Sequence, residues 1–384
     1  GRPVLEEEKN MPMVGEEVKL LSSEFMTEII NKGIKFNYEE LIEIGHVTRD
    51  ERIKVYLRVE DLIKTHFGVF GFTGVGKSNL LSTTIRKLLT EKIKKEGESI
   101  IKENSPRKGI KILLFDLMDE YTSLLIDLIL DNRLSVTIVN LDRFNLPKPT
   151  FDYLNGNSDE LGPATEAYVR QMYIPKGLLN YRFDKYLQAA KLLLTERKIK
   201  VFEEETGTVG DMVDKIWPDV TQGLRSPQKL NLLEKFKKDV FSPFDREVTS
   251  EVIEEILSIL GKRGFRKKTT KSIEELEKQP DLKSRIENTL IPFLEEMERK
   301  LREPLSQEIK ITLTDLIRQL QKSDTVELYI FTSANPHTLR EFAFKLGLEL
   351  YHIRRRFGIS SPLLLFLFDE ADEFIPQKPP EDSY

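Results

Sequence analysis

The amino-acid sequence predicts an α/β protein with a doubly wound, mainly parallel sheet and an inserted all-helical domain. A glycine-rich turn at residues 71–78 lies between a short apolar run and a helical pattern, as in a strand-loop-helix unit. Apolar runs that are typical of buried parallel strands recur at residues 111–115, 134–141, 325–331 and 363–368. Between the second and third of these runs, the apolar residues recur mainly with helical periodicity.

The composition indicates a globular protein with an ionic surface. Charged residues make up 32% of the 384 residues, hydrophobic residues 39%, and the net charge is -5. The absence of cysteine excludes disulfides, thiol nucleophiles and thiolate metal sites. The longest apolar run is far shorter than the roughly 18 residues that cross a bilayer, so we expect a cytoplasmic protein with no membrane segment.

The first predicted strand covers residues 53–59, where apolar and polar residues alternate. Residues 66–71 are an apolar run that we expect to be the strand before the glycine-rich turn. The helix after the turn is indicated by apolar residues at helical spacing, namely Leu80, Leu81, Ile85, Leu88 and Leu89. Residues 91–108 lack an apolar period and are predicted to be a helix end and a solvated loop.

The middle of the chain has the pattern of a helical insertion. Residues 184–194 and 251–260 have helical periodicity, and Ser272 with Glu275 has the spacing of a capping box. The predicted organisation is an N-terminal region, a first part of the core, the insertion and a second part of the core, at residues 1–62, 63–146, 147–320 and 321–384.

The turn at residues 71–78, here called the phosphate loop, fits the pattern G-x-x-x-x-G-K-[ST]. Glycines allow the backbone N–H groups to point at phosphate oxygens, and the following helix presents the positive end of its dipole. Lys77 is predicted to reach the terminal phosphates, and Ser78 to bind Mg²⁺. The predicted nucleotide-binding residues are Gly71, Phe72, Thr73, Gly74, Val75, Gly76, Lys77, Ser78 and Asn79. The alternative is a turn that only links a strand to a helix.

A pair of acids follows the last apolar run. Asp369 is predicted to serve Mg²⁺, and Glu370 to polarise the attacking water as general base, a role typically worth about 10² to 10⁴ in rate. The alternative for this acidic run is a solvated strand exit. Asp116 ends the strand at residues 111–115 and is a third candidate, because the carboxyl ends of parallel strands face the ligand crevice. A helix N-terminus rich in acids is the alternative at that position.

Together these residues resemble the HerA branch of the HerA/FtsK superfamily of DNA-pumping ATPases. The resemblance rests on Ile44-Gly45-His46 and on the segments IKVYLRVEDL, KTHFGVFGFTGVGKSNL, FDLMDEYTSL and LLLFLFDEADEFIP. It implies a RecA-like P-loop core, of which it covers about residues 41–145 and 325–376. It also implies an N-terminal β-barrel, and residues 1–62 are long enough for only part of it.

The resemblance further implies a hexameric ring that binds double-stranded DNA in its channel and hydrolyses ATP, with Mg²⁺, between subunits. The implied partner is a nuclease in DNA-end resection or an effector in antiviral defence. Asp116 with Glu120 matches the acidic patch of the family. The polar sensor and arginine finger are expected beyond Tyr384. Because a trans-acting arginine is worth about 10³ to 10⁵ in turnover, we expect this chain to bind ATP and to hydrolyse it slowly.

A basic segment in the insertion is the candidate DNA contact. It contains Lys262, Arg263, Arg266, Lys267 and Lys268 without an intervening acid, a pattern that can contact phosphates. The alternative is a flexible basic loop between two helices. A different class of function, a nucleotide-gated assembly ATPase whose ring recruits an effector without pumping DNA, also stays open. A GTP switch is disfavoured because the Asn-Lys-x-Asp guanine signature is absent.

Overall fold

The computed structural model describes residues 21–32, 41–64, 66–72, 74–93, 103–106, 109–131, 133–174, 176–204, 207–260, 271–322 and 325–374. The chain divides into two compact units. The core unit comprises Gly1–Phe202 and Glu308–Tyr384, and the helical unit comprises Glu203–Gln307.

The N-terminal part of the core unit contains an antiparallel hairpin and the helix that follows the phosphate loop. Its elements are α1 (Ser23–Ile30), β1 (Leu41–Val47), β2 (Asp50–Arg58), α2 (Val59–Lys64), α3 (Lys77–Leu89), β3 (Thr90–Ile93) and β4 (Glu103–Pro106). Strands β1 and β2 pair with each other, as do β3 and β4. The strand predicted over residues 53–59 is confirmed as the second part of β2, except that Val59 begins α2. The partial barrel stays a prediction, because much of residues 1–62 lies outside the described ranges.

The centre of the core unit is a six-stranded parallel sheet with flanking helices. The chain runs through β5 (Ile110–Asp116), α4 (Tyr121–Leu124), α5 (Ile126–Ile129), β6 (Ser135–Asn140), α6 (Lys148–Leu154), α7 (Leu161–Gln171), α8 (Lys176–Thr195) and β7 (Ile199–Phe202). After the helical unit it returns through β8 (Lys310–Ile311), α15 (Leu313–Leu320), β9 (Glu327–Thr332), α16 (Pro336–Phe357) and β10 (Leu363–Phe368). The strand order is β10-β5-β9-β6-β7-β8, and every neighbouring pair is parallel. The predicted α/β class with a mainly parallel sheet is confirmed.

Strand β5 is buried along its whole length, which its run of branched side chains explains. At its carboxyl end, Phe115 lies in register with Phe368 of β10 and Phe331 of β9. The ring of Phe115 stacks on each of these two rings with 5.0 Å between centroids. This aromatic row lies one residue before Asp116, the last residue of β5, and Asp369, the first residue after β10, so its packing helps to fix where the two acids lie.

One strand prediction is wrong: residues 66–71 have no strand structure. A strand is defined by its hydrogen-bonded partners, and no described strand pairs with this segment. The side chain of Phe70 is 94% exposed, whereas Phe67 and Val69 are half-buried, so the run is only partly covered.

The helical unit consists of α9 (Val209–Thr221), α10 (Pro227–Phe241), α11 (Ser250–Ile259), α12 (Lys271–Glu277), α13 (Pro280–Arg285) and α14 (Ile291–Arg302), with one π-helical turn at Ile286–Leu290. Its buried side chains form one apolar core that includes Trp217 and Phe236. This unit is shorter than the insertion predicted over residues 147–320, because β7 and β8 pair with the parallel sheet. Among the described residues, no helix is both long and apolar enough to span a membrane.

Candidate active site

The phosphate loop leads directly into α3. Gly74 and Gly76 have φ angles of 84° and 96°, which favour glycine over residues with a Cβ atom. Gly76 precedes the first helical residue, Lys77, and no side chain caps the helix. The free N–H groups of this helix start therefore remain for a ligand. Thr73, one of the predicted nucleotide-binding residues, lies outside the described residues.

The lysine of the loop is held by the loop itself. Its Nζ atom donates a hydrogen bond to the carbonyl oxygen of Gly71 over 3.0 Å. Lys77 and Ser78 are half-buried, whereas Phe72 and Val75 are 87% and 62% exposed. Asn79 is exposed in the first turn of α3. Among the described residues of the loop, Lys77 and Ser78 are thus the polar ones that are partly shielded from water.

The acid pair lies at the carboxyl end of β10. The backbone N–H of Asp369 donates to the carbonyl of Phe115 over 3.0 Å, which extends the pairing of β10 with β5 by one residue. Burial, together with the charges of Glu370 and Glu120, raises the pKa of Asp369 to about 6. Glu370 is exposed and has a left-handed backbone with φ 47°, so it turns away from the strand direction.

Asp116 is buried beside Asp369. Its two carboxylate oxygens accept hydrogen bonds from the backbone N–H groups of Glu120, at 3.2 Å, and Tyr121, at 2.8 Å. Burial is the main reason that its pKa rises to about 8, and the charges of Asp119 and Asp369 act in the same direction. Asp116 therefore holds the turn that leads from β5 into α4.

Tyr121 connects the two halves of the site. Its hydroxyl donates to Oδ1 of Asp369 over 3.4 Å, and the Ser78 side chain lies close to the same phenol. Its own exposed fraction is 1%. Sequence reasoning did not identify this residue as functional, although it follows the acids after β5 in the segment FDLMDEY.

The structure thus brings Ser78, Asp369 and Asp116 together around one tyrosine, although the loop and the acids are distant in the chain. Hydroxyl and carboxylate oxygens are the ligands that Mg²⁺ prefers, so Ser78 and Asp369 fit a magnesium ion shared with nucleotide phosphates. The five predicted DNA-contacting residues lie outside the described residues: Lys262, Arg263, Arg266, Lys267 and Lys268.

The family comparison agrees with this geometry. The family model described as the central domain of helicase HerA matches residues 42–335. The match begins in β1 and includes the phosphate loop, the acids after β5 and the helical unit. No curated protein matches the chain.

Proposed function

Because the chain belongs to the HerA-like ATPases of the HerA/FtsK family, we propose that it is an ATP-dependent double-stranded DNA translocase or helicase subunit that works as a hexameric ring. The observation that supports this proposal most directly is the convergence of Ser78 and Asp369 on the phenol of Tyr121. A nucleotide bound at the phosphate loop would lie next to the acids at the carboxyl ends of β5 and β10, where ligands bind in open parallel sheets.

Each polar residue of the site has a role in the proposed hydrolysis. Lys77 exchanges the carbonyl of Gly71 for an oxygen of the terminal phosphate, and the backbone N–H groups of the loop bind the other phosphates. Glu370 is exposed at the end of β10, where it accepts a proton from the water that attacks the γ-phosphorus. Mg²⁺, when bound, supplies positive charge to the phosphate oxygens.

Asp116 has a structural role beside these groups. Because its oxygens accept hydrogen bonds from the backbone N–H groups of Glu120 and Tyr121, it fixes the start of α4. We retain Asp116 as a candidate catalytic residue because it lies close enough to Asp369 for the charge of Asp369 to raise its pKa.

The test of the ATPase proposal is steady-state hydrolysis by the full chain with and without double-stranded DNA. We expect duplex DNA to raise the rate, and Lys77→Ala to abolish it. Lys87→Ala is the matched control, because it removes the same amine from the last turn of the same helix, away from the loop. A hydrolysis rate that does not change with duplex DNA, or that is not lowered by Lys77→Ala, would contradict the proposal.

The basic segment of the insertion is the proposed DNA contact. The triple variant Arg266→Ala, Lys267→Ala, Lys268→Ala should weaken DNA binding and reduce its dependence on salt, because fewer counterions are released from the DNA. The matched control removes three exposed lysines elsewhere in the helical unit, at positions 235, 238 and 278. Equal losses in the two variants would indicate a general charge effect instead of a specific contact.

The alternative of an assembly ATPase makes a different prediction for the same samples. A ring that recruits a nuclease or effector without pumping DNA should change its size when ATP is added, while duplex DNA barely changes its turnover. Size-exclusion chromatography with light scattering, with and without ATP, distinguishes the two proposals and measures the number of subunits in the ring.

A further inference from the structure

Tyr121 is held in place from both ends. Its backbone N–H donates to Oδ2 of Asp116 over 2.8 Å, at the start of α4, and its ring is almost fully buried. A buried aromatic ring with a fixed backbone has few rotamers available, so the position of its hydroxyl is set by the fold.

That hydroxyl is close to both residues that fit a magnesium ion. It is 3.4 Å from Oδ1 of Asp369, and the Ser78 side chain lies close to the same hydroxyl. A phenol both donates and accepts a hydrogen bond, so it can accept from the serine while it donates to the carboxylate. One neutral group therefore connects the phosphate loop to the end of β10.

We propose that Tyr121 is a positioning residue for the magnesium site, which holds Ser78 and Asp369 at the separation that the ion requires. The inference rests on the proposed ATPase function and assigns to this tyrosine a role that the nucleotide motifs do not contain. Tyr121 itself is not a metal ligand in this proposal. It acts through the two residues that supply oxygen to the ion.

The expected effect follows from the behaviour of groups that orient metal ligands. Loss of such a group typically costs about 10- to 100-fold in metal affinity, because the ligands then sample other positions. The 3.4 Å separation is long for a hydrogen bond between oxygens, so we expect an effect at the lower end, about 10-fold. Affinity for nucleotide without the ion should change little, since the loop amides and Lys77 are untouched.

The test is a magnesium titration of the binding of a fluorescent ATP analogue, measured by anisotropy on the full chain. Tyr121→Phe removes only the hydroxyl and keeps the ring. Tyr329→Phe is the matched control: it removes a buried hydroxyl that bonds to Glu327 and Gln319 near the start of β9, at the opposite end of the sheet strands. Affinity in EDTA and the melting temperature are measured for all three proteins.

A magnesium midpoint about 10-fold higher in Tyr121→Phe, with wild-type affinity in EDTA and an unchanged midpoint in Tyr329→Phe, supports the proposal. An unchanged midpoint in Tyr121→Phe overturns it. Equal loss of affinity with and without magnesium also overturns it, since the hydroxyl would then serve the fold and not the ion. If the unsubstituted chain binds no ATP analogue, the proposed function fails, and the inference fails with it.

Discussion

Replacing Asp116 by asparagine should make the core unit less sensitive to alkaline pH. Asp116 is fully buried at the end of β5, and its pKa is raised from 3.8 to about 8, mainly by burial. The folded chain therefore holds a proton at this position over a pH range in which the unfolded chain has released it. Because the unfolded state binds fewer protons there, the free energy of unfolding falls as pH rises from about 4 to about 8.

The size of the effect follows from the shift. One pKa unit corresponds to about 1.4 kcal/mol, so the slope of stability against pH that this group contributes is at most about 1.4 kcal/mol per pH unit. Summed over the range, the contribution reaches about 6 kcal/mol. The amide introduced by Asp116→Asn does not titrate, and it retains one of the two backbone hydrogen bonds, so its cost is a constant offset of about 1 kcal/mol.

The assay is urea denaturation at several values between pH 5 and pH 9, followed by far-ultraviolet circular dichroism. Circular dichroism is preferred to tryptophan fluorescence, because Trp217, the one tryptophan of the chain, lies in the helical unit. As pH rises, the free energy of unfolding should fall less in the variant than in the unsubstituted protein. Asp159→Asn, the same change at an exposed position, should leave the pH dependence unaltered. Parallel stability curves for Asp116→Asn and the unsubstituted protein would refute the reasoning.

Four further outcomes are expected. Glu370→Gln should retain ATP binding and lower hydrolysis by about 10² to 10⁴, measured as turnover beside equilibrium binding. Gly76→Ala should weaken nucleotide binding, because a φ of 96° costs a residue with a Cβ atom about 1–2 kcal/mol, and binding is read by anisotropy. Lys111→Met should cost about 1–3 kcal/mol in urea denaturation, since the half-buried carboxylate of Glu327 loses the cation at 2.9 Å and keeps the hydrogen bond from Tyr329. Phe236→Ala should lower the free energy of unfolding by about 3–5 kcal/mol, because it opens a cavity in the core of the helical unit. The fluorescence of Trp217, which lies in the same core, measures this unfolding.

Specific results would contradict each of these expectations. Unchanged turnover in Glu370→Gln would remove it as general base, and wild-type affinity in Gly76→Ala would show that the loop tolerates another backbone. If Lys111→Met equals the unsubstituted protein in stability, the buried ion pair contributes nothing. If Phe236→Ala leaves the Trp217 transition unmoved, the two residues do not share a cooperative core.

The parts of the fold that depend on local pattern were predictable from the sequence. The apolar run of β10 coincides with the observed strand, and β5, β6 and β9 differ from prediction only at their ends. Strands β7 and β8 were missed because they are short and belong to the sheet only through distant partners. Residues 66–71 show the converse, since an apolar run without a pairing strand does not become one.

Contacts between residues that are distant in the chain also determine which hydrogen bonds individual polar side chains form. Ser272 was predicted to open a helix as a cap, but α12 already includes Lys271, and the Ser272 hydroxyl donates to Asp239 of another helix. In the site, the phosphate loop and the acid pair could each be proposed from the sequence because each is a short local motif. Tyr121 could not, because its proposed role depends on contacts with Ser78 and Asp369, which are far from it in the chain.

Asp369 and Glu370 directly follow the outermost strand of the described sheet, because β10 pairs with β5 on one side only. Backbone amides on its other side have no described strand to shield them, so they should exchange with deuterium faster than those of β5, which has a neighbour on each side. The local rigidity of Asp369 and Glu370 therefore rests on a single ladder and on the phenylalanine stack beneath it. A strand or partner that paired with the outer edge of β10 would therefore restrict the positions of these two carboxylates further.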